Sequence, residues 1–222
     1  MNGENNMIQE MLRTITGRFH LEGMNLGEYR KMKVRGMTFH IYAFHAEGLG
    51  HVSAMSASGF FGLMKMDTLI INPTELDLPL LSYDRIHAMG NDTLIFELYD
   101  TMLGRVDMTL LDSVKGRTTL LPDHNLGEHW YDSIKLPQSL SKKGKKVQSP
   151  AFDDVAAQYL NAFLSMAESA ESCDADAKLE KASVYVEGLL EHGGPSTDVF
   201  RKGIGPDKTA DLFCRILFGT KL

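Results

Sequence analysis

A lone aspartate set among apolar residues is the first place in this chain where side chains could do chemistry. In the stretch LDLPLLSYDRIHAMGNDTLIFELYD, residues 76 to 100, the turn Leu78-Pro79-Leu80-Leu81 leads into Asp84 on what reads as a strand. A carboxylate in such a place must be paired, solvated or protonated, because burying it charged and alone is strongly unfavourable. If it is buried, its pKa rises toward the range in which a carboxylic acid can donate a proton at neutral pH. Without further context the commoner role of such a residue is a solvated turn or sheet-edge aspartate. Arg85 follows directly, but neighbours on a strand face opposite ways, so it is not automatically the partner of Asp84.

Little else in the sequence declares a reaction. GLGHVSAMSASG does not carry the dinucleotide fingerprint, and no HExxH, CxxC or GxSxG is present. Cys173 and Cys214 are far apart and lack metal-ligand spacing, which fits reduced thiols. His40 and His45 lie an odd number of residues apart on one strand, so they point to opposite faces and no metal site is expected from them. The 222 residues include 43% apolar and 23% charged positions, an ordinary globular composition for which one domain over residues 1–222 is the simplest expectation. A net charge of −6 argues against nucleic-acid binding, which needs a basic stripe to displace counterions. No apolar run is long enough to span a bilayer, and the start MNGENNMIQEM lacks the pattern of a secretion signal. A cytoplasmic protein without a membrane partner is expected.

The elements that must position Asp84 follow from periodicity. Met7, Ile8, Met11, Leu12 and Ile15 repeat at helical spacing. From Met37 the period becomes two: MTFHIYAFHA, HVSAMSAS, MKMDTLIIN, DTLIFELYD and RVDMTLLDSV read as consecutive short strands separated by turns. Short gaps between them favour an antiparallel sheet over parallel crossovers. SLSKKGKKVQSP reads as a basic loop. A helix then starts at Ser149-Pro150, a second runs through ADAKLEKASVYVEGLLEH to Gly193-Gly194-Pro195, and STDVFRKGI with DKTADLFCRILFG gives a closing helix pair. The expected architecture is α+β, a three-layer α/β/α sandwich around a central antiparallel sheet. Met55, Met64 and Met66 read as adaptable packing against that sheet.

At Asp84 the sequence resembles the ferredoxin-dependent bilin reductases, which reduce linear tetrapyrroles. That family carries a strand, a proline-marked turn and then LP-x-x-x-x-D, matched here by Leu78-Pro79 and Asp84 after DTLIINP. LGEHWYDSIKLP resembles the family's Trp-Gly-Glu segment, with Gly127 and Glu128 kept, and VFRKGIGPDKTADLFCRILFG resembles its closing helices up to Leu217 and Phe218. The resemblance covers most of the chain in order, with few identities.

It implies coupled electron and proton transfer to a bilin, with Asp84 as proton donor, electrons from reduced ferredoxin, and neither a bound cofactor nor a metal. The family's glutamate and histidine on neighbouring strands fall at Ser56 and Thr68, whose hydroxyls can hold a water or hydrogen-bond a pyrrole carbonyl but do not titrate near neutral pH. A second family aspartate falls near Gly194, where Asp198 and Glu191 are the nearest carboxylates. Arg201, Lys202 and Arg215 are candidates to meet tetrapyrrole propionates, with ordinary helix-surface charge as the alternative. Lys142, Lys143, Lys145 and Lys146 form the one concentrated basic run, read either as a solvated loop or as a docking site for an acidic carrier such as ferredoxin. The rival functions are a non-catalytic tetrapyrrole carrier or sensor, and an interaction protein that kept only the fold.

Overall fold

The computed structural model describes residues 7–221. Eight strands form one antiparallel sheet: β1 (Leu21–Gly23), β2 (Lys31–Val34), β3 (Met37–Ala46), β4 (Gly50–Gly59), β5 (Met64–Asn72), β6 (Leu80–Ala88), β7 (Asn91–Tyr99) and β8 (Leu140–Lys145). β1 and β2 share the outer edge of β3, and the order then runs β3 to β8 without a crossover. Each hairpin pairs a strand with its successor, as the short gaps in the sequence require.

Apolar residues occupy both faces of the middle strands because both faces are covered. On one face Leu69, Leu81, Tyr83, Leu94, Phe96 and Leu98 pack under α1 (Met7–Thr16), α2 (Thr109–Gly116) and α3 (Ser149–Ser169). α3 opens with Pro150 in its first turn and buries Phe152, Ala156, Tyr159, Leu160, Phe163 and Leu164, the stripe expected of a 3.6-residue period. Tyr159 stacks on Phe96 with ring centroids 4.2 Å apart, fixing helix to sheet.

The other face carries Phe39, Met55, Ile70, Leu80 and Tyr99 and is covered by α4 (Ala175–His192), α5 (Pro195–Ile204), α6 (Pro206–Asp211) and a wide π turn, Leu212–Leu217. Asp174 caps α4 by accepting from the backbone N–H groups of Asp176 and Ala177 at 3.0 and 3.1 Å, and Gly193, with φ of 79°, ends it. These helices make the third layer of the expected α/β/α sandwich.

Two expectations are corrected. Of the segment read as a strand, RVDMTLLDSV, residues 109–114 instead open α2, which buries Leu111 and Val114, three residues apart, against α3, and the four residues before them form no regular element. Its apparent alternation was coincidental, and packing on a neighbouring helix decides. The segment read as a basic loop contains β8, the edge strand beside β7. Lysines on an edge strand discourage pairing with another chain, so a cationic composition is compatible with a strand at that place.

Candidate functional site

A cavity of about 370 Å³ lies between the sheet and the layer of α4, α5 and the π turn. Its floor is one face of β3 to β7: Phe39, Met55, Met64, Met66, Thr68, Asp84, Ile95, Glu97 and Tyr99 all point into it. The roof is Tyr185 and Leu189 of α4, Val199 and Phe200 of α5, and Phe213, Leu217 and Phe218 at the chain's end. A side wall comes from the loop that holds His129, Trp130 and Tyr131. The three methionines read as packing residues therefore line this space rather than fill it.

Asp84 sits at the centre of the floor. The ladder pairs it with Thr68 of β5, whose hydroxyl donates to the Asp84 carboxylate at 2.5 Å. The carboxyl reaches the cavity yet lies deep in the protein, and burial raises its pKa to about 6, with the Thr68 bond opposing the rise and the charge of Glu97 adding to it. Glu97, two residues along β7 from the position opposite Asp84, accepts from the Tyr99 hydroxyl at 2.6 Å and lies 3.8 Å from the Lys135 ammonium. Tyr99 in turn stacks on Tyr185 at 4.1 Å. No lysine or arginine lines the cavity, so its polar floor presents two carboxyl groups and several hydroxyls to an otherwise aromatic and aliphatic interior. Such a site favours a flat, largely apolar ligand that carries hydrogen-bond donors.

Three side chains on the sheet hold the roof by its backbone. His51 lies 2.9 Å from the Ile216 carbonyl through Nε2, the Ser53 hydroxyl donates to the Leu217 carbonyl at 2.6 Å, and the Asn72 amide donates to the Phe218 carbonyl at 2.8 Å. Burial lowers the His51 pKa to about 4, so the ring is neutral and its Nε2–H donates. Gly219, at φ of 63°, is needed here because a Cβ would strike the His51 ring. Gly188 serves similarly on α4, where a side chain would collide with the Trp130 ring.

Among the expected site residues, Asp84 and Thr68 meet on the cavity floor. Ser56 does not join them. It points to the opposite face and donates to Asp67 at 2.7 Å, while Met55 is the residue paired across from Thr68. A one-residue difference in register sends a strand residue to the other side of the sheet.

Asp198 and Arg201 also fall outside the lining. Asp198 lies in the first turn of α5 with its carboxylate beside Gly193, and the Arg201 guanidinium donates to the Leu190 carbonyl at the end of α4. Arg215 is committed to Asp211 through two bonds of 3.0 and 2.8 Å. Both arginines answer local needs, a helix terminus and a helix carboxylate, before any ligand arrives. Lys142 is buried and pairs with Asp123 at 2.6 Å, so only Lys143, Lys145 and Lys146 of the basic run reach the surface.

Glu97, Tyr99, Tyr185 and Trp130 were missed in the sequence. The one legible signal was Glu97, an acid in the otherwise apolar run LIFELY. Among the described residues no group of three or more His, Cys, Asp or Glu side chains is placed to hold a metal ion, and no helix is long and apolar enough to cross a membrane.

No protein-family model matches the sequence, and no curated protein does. Among solved structures, the chain is similar to phytochromobilin synthase from tomato, determined in complex with biliverdin, with a TM-score of 0.78 and 18% sequence identity over 96% of this chain and 82% of that one. At this identity the likeness establishes architecture: the two chains share the three-layer fold.

Proposed function

We propose that the cavity takes a linear tetrapyrrole and that Asp84 supplies a proton to it during reduction by a one-electron carrier of the ferredoxin kind. The observation that carries this reading is the Asp84 carboxyl, held at a pKa of about 6 on the floor of an aromatic cavity. The architecture shared with a protein that binds biliverdin supports the ligand class.

Reducing one double bond takes two electrons and two protons. Adding one electron to an extended conjugated ligand leaves a radical anion that must be protonated in place, and a carboxylic acid with a pKa near neutrality is suited to that step. Asp84 gives its proton to the ligand, and the resulting carboxylate is stabilised by the Thr68 hydroxyl until a proton from solvent restores the acid. A second electron and a second proton complete the reduction. Pyrrole N–H groups are donors, and the acceptors Asp84 and Glu97 match them; with no cation in the lining, the ligand's own carboxylates belong at the mouth, toward water.

A carrier that returns its pigment unreduced is favoured by a different observation. Thr68, opposite Asp84 on β5, and Met55, opposite Thr68 on β4, do not titrate near neutrality. Titration with biliverdin followed by a reduced ferredoxin system without oxygen separates the two readings. A saturable spectral shift that bleaches or moves on reduction supports the reductase. A shift that survives reduction assigns the carrier, and no shift with any linear tetrapyrrole sinks both.

A further inference from the structure

The turns at one end of the sheet carry side chains that the fold does not use. Phe60 and Phe61, between β4 and β5, both adopt left-handed backbone conformations, with φ of 51° and 57°, and Met89 between β6 and β7 does the same at 51°. Glycine, asparagine or aspartate would meet those turns at lower strain. The side chains regain little by burial: Phe60 is 56% exposed, Phe61 fully exposed, Leu63 69% and Met89 90% exposed. A strained turn that displays large apolar groups to water is a local conflict that folding does not account for.

The pairing places these tips side by side. Gly59 pairs with Met64, Met64 with Ala88 and Ala88 with Asn91, so the two turns are adjacent across strands about 4.8 Å apart. Basic residues flank them on both sides. Arg35 lies in the turn before Met37, which pairs with Gly59, and Lys145 pairs with Asn91 while the backbone of Lys146 donates to the Gly90 carbonyl. Arg35, Lys145 and Lys146 are all exposed, and the segments 33–37, 58–65, 87–91 and 143–148 contain no Asp or Glu. This end is therefore basic in a chain whose net charge is −6.

From this arrangement we infer that the hairpin tips dock peripherally on an anionic lipid surface, with Phe60, Phe61, Leu63 and Met89 entering the boundary between headgroups and acyl chains and the flanking cations meeting lipid phosphates. The tips are projecting points rather than a groove. A bilayer accepts such points anywhere on its surface, whereas a protein partner would need matching pockets, and the exposed cations Arg35, Lys145 and Lys146 match an anionic surface. The reading is independent of what the cavity binds, although Met64 of the lining is adjacent to Leu63 and the cavity thus lies just behind the docking end.

Flotation of the whole chain with vesicles tests it, using phosphatidylcholine alone and phosphatidylcholine mixed with phosphatidylserine. The wild type should float with the anionic vesicles, less at high salt and little with the neutral ones. Replacing both tips, Phe60→Ser with Phe61→Ser, should cut the bound fraction by about tenfold or more while the melting temperature and the biliverdin titration stay unchanged. Equal flotation of the two proteins, or none of either, overturns the proposal. So does an acidic ferredoxin that binds the wild type and not the double variant in the absence of lipid, because that outcome assigns the same end to a protein partner. No pigment is needed for flotation, so its failure is separable from failure of the tetrapyrrole reading.

Discussion

Asp84 and Arg85 are neighbours on β6 and meet burial in opposite ways. Arg85 points toward α3, is 1% exposed, and is matched by Asp92 through contacts of 2.7 Å from both Nε and Nη2, with Asp153 at 3.0 Å and the Ser149 carbonyl at 3.1 Å. Asp92 is fully buried and also accepts from the Ser149 hydroxyl at 2.5 Å. On the cavity face Asp84 has one hydroxyl, no cation and a second carboxylate nearby. One side of the sheet neutralises charge with charge and ties down the start of α3. The other leaves an acid without a cation, so burial tightens its hold on a proton. The difference distinguishes a structural ion pair from a group held ready to exchange a proton.

The largest test of that contrast is to remove the cation. Arg85→Met should cost about 3–5 kcal/mol in urea denaturation, since Asp92 would be left buried without its guanidinium, beside only the Ser149 hydroxyl and the His87 ring. An unchanged midpoint would mean that the pair holds nothing.

On the cavity side, if the proposed reductase reading holds, Asp84→Asn should lower bilin turnover with a reduced ferredoxin system by about 10²–10⁴-fold, the usual worth of a general acid, while leaving the fold intact. Its stability difference from wild type should also depend on pH. The folded-state pKa of about 6 lies above the ordinary 3.8, so the native state holds the proton more tightly than the unfolded chain does. Wild type therefore loses stability relative to the variant as pH rises from about 4 to 6, by up to about 3 kcal/mol, and the gap is constant above that window. His51 titrates with the opposite sign in the same range, being depressed from 6.5 to about 4, which is why the difference between the two proteins is the quantity to measure.

A finer probe is Thr68→Val. Removing the hydroxyl withdraws support from the ionised form and should move the alkaline limb of the turnover profile, where the proton donor is lost, upward by about one pH unit or less. The smallest effect is expected from Ser56→Ala. It removes a bond to Asp67 on the far face, at a cost of about 1 kcal/mol in stability, and should leave biliverdin titration unaltered. A changed bilin spectrum in that variant would show that the two faces are coupled.

Much of the framework was legible because both signals, period two in the strands and period 3.6 in the helices, come from burial. The hairpins from β3 to β7 and the stripe of α3 could be read directly. β8 could not, since its lysines hide the alternation of Leu140 and Lys142, both buried, with exposed Lys143 and Lys145. The position of Asp84 was visible as an acid in apolar surroundings, but its partners were not, because they depend on register and on distant segments. Counting along the matched strand put Ser56 beside Thr68, whereas the ladder puts Met55 there. Glu97 reaches the floor only through the pairing of β6 with β7, and Tyr185 and Trp130 arrive from far along the chain.

The bonds that hold the roof have a consequence for how this site can change. His51, Ser53 and Asn72 grip carbonyl oxygens of residues 216 to 218, and carbonyls are present whatever side chains those residues carry. Substitutions at Leu217 or Phe218 can therefore reshape the ceiling without releasing it, whereas loss of a gripping side chain loosens the ceiling however well its own residues suit the ligand. Variation in what the cavity accepts should accumulate on the closing turn, and intolerance to change should concentrate on the strands beneath it.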